Sequence, residues 1–224
     1  MKTQPYLLKN LSLLALASLI ASGAIAQSAK PGDAKAAQSK VAMCIGCHGI
    51  IGYQASFPEV HKVPMISGQN AKYIEAALLA YRKGDRKHPT MKGVAAPLSD
   101  QDIADLAAFY EASGHGMQAK PGKGSAPSAE VQALLTKGNC VACHGADLNK
   151  PIDPSYPKLA GQHADYLYVA LKSYQTDKNP QIGRNNPIMG AQAKMFTQPE
   201  LKLLANYMGG LTSDLKTVPQ PKFR

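Results

Sequence analysis

The 224-residue chain contains no tryptophan and only four phenylalanines. That leaves little bulky aromatic material for one large core and favours smaller units that fill their interiors with something else. Cysteine is scarce as well. The four present fall in two short clusters, so no thiol is left over for a disulfide framework. Acidic side chains number 15 against 25 basic ones, a net charge of +10. Past the N-terminus no apolar run approaches the ~20 residues of a bilayer-spanning helix. Period-two alternation never lasts long enough to commit a strand. What remains is a helical chain with a basic surface.

The N-terminus reads as an export signal over residues 1–26. Lys2 and Lys9 precede a mostly apolar stretch from Leu11 to Ala24, and Ala24-Ile25-Ala26 offers small residues for cleavage before Gln27. An uncleaved anchor is the rival, but Ser12, Ser18, Ser22 and Gly23 interrupt a run already short for a span. Cleavage leaves about 200 residues, enough for two small domains, and a periplasmic destination is expected. Loss of Lys2 and Lys9 lowers the charge from +10 to +8. That charge suits an acidic protein face or peripheral contact with an anionic membrane. Nucleic acid is not an expected partner, because export separates the protein from it.

The four cysteines form two motifs of one kind: Cys44-Ile45-Gly46-Cys47-His48 and Cys140-Val141-Ala142-Cys143-His144. C-x-x-C-H is the signature of covalent haem attachment. Thiols three positions apart on one helical turn can both add to the vinyl groups of a single porphyrin, and the adjacent His is held under the iron. A four-thiolate zinc site has no need of a His after each pair. A thioredoxin-like redox pair belongs in a βαβ setting, of which the flanks show nothing. Two haem c groups are therefore expected, held by Cys44, Cys47, Cys140 and Cys143, with His48 and His144 as proximal iron ligands.

The motifs are 96 residues apart, and their flanks repeat. Pro64-Met65-Ile66-Ser67-Gly68-Gln69 answers Pro157-Lys158-Leu159-Ala160-Gly161-Gln162, and Tyr73 and Tyr81 answer Tyr166 and Tyr174. The chain is a tandem duplication: an N-terminal unit over 27–113, a linker rich in Gly, Pro, Ser and Lys over 114–127, and a C-terminal unit over 128–224. Each unit reads as about three main helices. Asp33 and Asn70 are placed to cap the first two of the N-terminal unit, and Ser99 with Asp102 resembles a capping box before the third. In the second unit Ser128 opens the first helix, His163 to Tyr174 forms the second, and Thr197 with Glu200 boxes the third.

A distal ligand decides between carrier and catalyst. A Met thioether raises the potential and closes the iron to small molecules. Met91, 43 residues after His48, and Met189, 45 residues after His144, fall in matching loops and are the expected distal ligands. Met43, Met65, Met117, Met195 and Met208 have no such agreement between copies. His61, His88, His115 and His163 lack counterparts in the opposite unit and read as surface or loop residues. The carbonyls of Pro64 and Pro157 are candidates to accept the other ring N–H of His48 and His144.

With both C-x-x-C-H motifs, the run Pro157-Lys158-Leu159-Ala160-Gly161-Gln162, and Met91-Lys92-Gly93-Val94-Ala95-Ala96 followed by Leu98-Ser99-Asp100, the chain resembles the cytochrome c4 family over nearly all of its mature length. The resemblance implies an all-α protein of two tandem class I cytochrome c domains facing each other across a pseudo-twofold axis. It also implies an electron carrier between a quinol-oxidising membrane complex and a terminal oxidase, and a monomer is expected. Ile50-Ile51-Gly52 departs from the usual polar turn after the first motif, Met65 stands where the repeat has Lys158, and Gly190-Ala191-Gln192-Ala193 departs from the family pattern near the second Met. A dihaem redox enzyme, such as a peroxidase or a sulfur-compound dehydrogenase, is the competing class. It would need an open iron position and polar catalytic groups above it.

Overall fold

The computed structural model describes residues 30–117, 122, 124 and 126–219. The expected signal segment and part of the expected linker lie outside these residues.

In the first half, a 3₁₀ turn (Ala36–Ser39) leads into α1 (Ala42–His48), which carries the first motif. A two-residue antiparallel pair, β1 (Gln54–Ala55) with β2 (His61–Lys62), follows, then α2 (Ala71–Lys83), β3 (Arg86–Lys87), α3 (Pro89–Ala95) and α4 (Asp100–Ala112). The second half repeats the plan without the first hairpin: α5 (Ala129–Lys137), α6 (Cys140–His144), α7 (Ala164–Gln175), β4 (Gly183–Arg184), α8 (Pro187–Lys194) and α9 (Gln198–Gly209).

Caps set most of the boundaries. Ser99 accepts from the Asp102 amide while the Asp102 carboxylate returns to the Ser99 amide, and Thr197 and Glu200 do the same at α9. Ser128 caps α5 through the Val131 amide. Gly84 ends α2 in the left-handed region at φ 91°, where its N–H meets the carbonyls of Ala80 and Tyr81. Two expected caps behave otherwise. Asn70 makes no side-chain cap and instead donates from Nδ2 to the Tyr156 carbonyl of the other half at 3.1 Å. Asp33 accepts from the Lys35 amide at 2.8 Å but opens only the 3₁₀ turn, which breaks before α1 begins.

Each half has its own core. Ile103 and Leu106 of α4 pack with Ala37, Val41, Ile45 and Leu98, while Ala107 and Tyr110 of the same helix meet Ile74 of α2. In the second half, Leu201, Leu204, Ala205 and Met208 of α9 pack against Val131, Leu134, Leu135 and Leu167. Among the described residues, no helix is long and apolar enough to cross a membrane.

The seam between the halves is polar and reciprocal. Gln69 donates from Nε2 to the Lys158 carbonyl (3.1 Å) and accepts from the Lys158 amide (2.9 Å). Gln162, its repeat equivalent, donates to the Met65 carbonyl (2.8 Å) and accepts from the Met65 amide (3.0 Å). Lys62 pairs with Asp165 and Lys172 with Glu59 across the same boundary. β3 pairs with β4, Arg86 opposite Arg184. The C-terminal segment then folds back onto the first half, with the Lys216 amide donating to the Ser67 carbonyl at 3.0 Å. A Cβ on Gly68 (φ 82°) would sit 2.4 Å from the Asp214 carbonyl oxygen, so that crossing requires glycine.

Candidate haem sites

Both motifs are helical, on α1 and α6, so the paired thiols project from one turn beside the His that follows. The four cysteines are half-buried and form no disulfide. Burial pushes the Cys44 thiol up to about 11 and raises Cys140. His48 and His144 are likewise shifted downward, chiefly by burial, which keeps both imidazoles neutral.

Their ring orientation is specified. Nδ1 of His48 lies 2.8 Å from the Pro64 carbonyl oxygen, and Nδ1 of His144 lies 3.1 Å from that of Pro157. A carbonyl can only accept, so Nδ1 carries the proton and Nε2 keeps its lone pair. That is the tautomer a metal needs.

Cys44, Cys47, His48, Met91, Cys140, Cys143, His144 and Met189 all line one continuous cavity of about 700 Å³ that runs through both halves. Its other walls are largely apolar, including Ile74, Leu78, Leu106, Leu167, Leu204 and Phe196. Two pairs of free thiols, two neutral imidazoles with an open Nε2 and a large apolar hollow suit a pair of covalently held porphyrins. Zinc lacks a comparable arrangement: among the described residues, no three His, Cys, Asp or Glu side chains gather as a metal cage.

Met91 and Met189 are half-buried and sit in short helices, α3 and α8, where loops had been expected. The reason is local. Each helix has Pro at its first position and a side-chain acceptor immediately before it. Asn186 Oδ1 accepts from the Met189 amide at 2.9 Å, and His88 Nδ1 accepts from the Met91 amide at 3.4 Å. Sequence reasoning passed over His88 as a surface or loop residue, although His88-Pro89-Thr90-Met91 aligns with Asn186-Pro187-Ile188-Met189. His61 also departs from expectation. It is 4% exposed, with Nδ1 2.8 Å from the Glu59 carbonyl and its ring tilted against Tyr166 of the other half.

The cytochrome c family model matches residues 34–112 and 128–212. The chain is 30% identical over 199 residues to cytochrome c4 of Azotobacter vinelandii, covering 80% of this chain and 90% of that one. It is 31% identical over 179 residues to the thiosulfate dehydrogenase electron acceptor of Stutzerimonas stutzeri, covering 75% and 78%. The solved structure of cytochrome c4 from Acidithiobacillus ferrooxidans is similar at a TM-score of 0.59 and 28% identity, over 76% of this chain and 99% of that one. Two cytochrome c units in one polypeptide, similar to a cytochrome c4 over 80% of the chain, settle the relationship. The chain belongs to the cytochrome c4 family and is an electron-transfer cytochrome with two covalently bound haem c groups.

Proposed function

We propose that the protein is a periplasmic electron carrier of two domains, 27–113 and 128–224, exported by its 1–26 signal and joined by the 114–127 linker, with both haems ligated by His and Met. The observation that carries this reading is the repetition of the distal arrangement. Each half presents a Met from a capped, proline-initiated short helix into the cavity that holds its C-x-x-C-H motif.

Bound haem supplies a one-electron iron couple. The residues of the chain do the rest. Cys44, Cys47, Cys140 and Cys143 fix the porphyrins, His48 and His144 offer Nε2 to the iron, and the Pro64 and Pro157 carbonyls hold those rings in place. Met91 and Met189 would supply thioethers to the iron, a soft ligation that would favour the ferrous state. A closed iron suits transfer between partners and leaves no place for a substrate. On the family pattern those partners are a quinol-oxidising complex and a terminal oxidase. The likeness to a protein named as an acceptor for thiosulfate dehydrogenase adds a sulfur-compound dehydrogenase as a second donor class. A dihaem enzyme remains the competing class.

Carbon monoxide separates them. The reduced native protein should bind none, and the oxidised protein should show the Met-to-iron charge-transfer band. Met91→Ala and Met189→Ala should each lose that band at one haem, lower its potential and open it to carbon monoxide. Binding by the native protein, or an intact band at both haems in either variant, would overturn the proposed ligation.

A further inference from the structure

Tyr110 of α4 lines the haem cavity and is 4% exposed, yet among the described residues its Oη is buried without a hydrogen-bond partner. A hydroxyl left in that condition costs stability, because it gives up water and receives nothing in return. Its direction is fixed from both sides. The ring stands edge to face on Phe109, with centres 5.2 Å apart, and the Tyr110 carbonyl accepts from the Gly68 amide at 2.8 Å.

Cys44 is the ionisable side chain that acts on this hydroxyl. The two residues meet in one packed cluster, and the hydroxyl lowers the Cys44 thiol against the larger upward push of burial. Burial also holds the Tyr110 hydroxyl well above its ordinary value, so it keeps its proton and remains a donor.

The second half breaks the symmetry at this position. Tyr110 is the eleventh residue after Ser99, the cap of α4, and the eleventh after Thr197, the cap of α9, is Met208. Met208 is as deeply buried, lines the same cavity and belongs to the cluster on which Cys140 packs. It has no donor to offer.

We propose that Tyr110 is a positioning residue of the first haem alone, its hydroxyl donating to the sulfur by which Cys44 holds that haem. The inference rests on covalent attachment at Cys44. A cysteine sulfur joined to a porphyrin has lost its proton and keeps its lone pairs, so it can only accept. Attachment therefore supplies the partner that the hydroxyl lacks. A thioether is a weak acceptor, but exclusion of water from the site strengthens the bond. The consequence is electrostatic. A hydroxyl proton directed at the thioether sets the positive end of a dipole against the porphyrin edge, which favours the added electron of ferrous iron and raises the potential. The second haem, facing Met208, receives no such contribution.

The test is Tyr110→Phe, which removes one oxygen and leaves the ring. Peptide mapping first establishes haem on Cys44 and Cys47 in wild type and variant, so a failure of attachment is told apart from a failure of this proposal. A redox titration resolving the two haems should then show the first shifted to lower potential and the second unmoved. An unchanged first potential, or equal shifts at both haems, overturns the proposal. Stability reads the same bond with opposite signs for the two cases. Loss of a made bond lowers the urea midpoint of the variant. Removal of an idle buried hydroxyl would raise it, and a rise overturns the proposal. Wild-type holoprotein gives a readout independent of any variant's folding. Nuclear magnetic resonance of the reduced protein should show a slowly exchanging Tyr110 hydroxyl proton with a nuclear Overhauser contact to the Cys44 β-protons. A hydroxyl that exchanges freely, or that contacts other groups only, overturns the assignment.

Discussion

Replacing Gln162 with Met tests whether the seam supports the first haem site from the second domain. The side chain keeps its length and loses its amide. Gln162 Nε2 no longer donates to the Met65 carbonyl at 2.8 Å, and Oε1 no longer accepts from the Met65 and His163 amides, each at 3.0 Å. Met65 is 5% exposed and Gln162 4%, so water has poor access to the groups left behind. Each abandoned backbone group costs about 1–3 kcal/mol. Allowing some water entry at the seam, the total is about 2–4 kcal/mol. With an m-value of about 2 kcal/mol per M urea, the unfolding midpoint should fall by about 1–2 M. Because Met65 follows Pro64, whose carbonyl orients His48, the damage should register in the first domain although the substitution lies in the second. Urea unfolding followed by haem absorbance and far-ultraviolet circular dichroism reads the effect. A single transition that splits in two would be a further sign of a severed seam. Gln69→Met, which abandons the Lys158 amide and carbonyl and the Asn70 amide, should behave alike. A loss below about 0.5 kcal/mol, the scale of an ordinary surface substitution, would refute the reasoning.

At α3, His88→Ala should leave the Met91 amide without its acceptor, costing about 0.5–2 kcal/mol and weakening the Met-to-iron band of the first haem. His88→Asn, which copies Asn186, should keep that band. Asp102 is held down to about 2, first by its side-chain bond with Lys40 and then by the Ser99 amide and hydroxyl, against an ordinary 3.8. A depressed carboxylate stabilises the fold above its ordinary pKa, and that contribution is lost as pH falls through the folded value. Thermal melts should therefore place Asp102→Asn below wild type near neutrality, with the gap closing between about pH 4 and pH 2. A gap unchanged with pH would dismiss the ion pair as its source. Electron exchange with an acidic partner should slow as the Debye length falls from about 10 Å at 0.1 M salt to about 3 Å at 1 M. Stopped-flow rates indifferent to salt would point instead to apolar docking, for which exposed Ile50 and Ile51 beside the first motif offer a surface.

The parts of this molecule that could be read from its sequence are those whose chemistry is local. Two thioethers and a proximal ligand must come from one helical turn, so Cys44, Cys47 and His48 are contiguous and conspicuous. The boxes at Ser99 and Thr197 close over three residues and are equally visible. The helices carrying Met91 and Met189 were missed because they are short, and because His88 is an unusual cap. β1 and β2, with two residues each, are too brief for any alternation to show, so the burial of His61 beside them could not be seen. Gln69 and Gln162 stood out as a repeat, yet nothing nearby in sequence hinted that each serves a backbone some ninety residues away.

Reciprocity across the seam explains why the duplicated residues persist as pairs. An apolar interface would tolerate sliding, since area burial has little direction. Here each Gln meets both backbone groups of one residue in the opposite domain, and a shift of one residue would strand a donor and an acceptor at each end. The residues so held, Met65 and Lys158, directly follow the prolines whose carbonyls orient His48 and His144. Fixing the seam therefore fixes the surroundings of both imidazoles at once. Electron transfer between two centres demands a constant separation and orientation, and directional polar contacts supply that where a greasy contact would not. In this chain the polar seam does not merely join two cytochrome domains: it makes the setting of each haem a property of the other half.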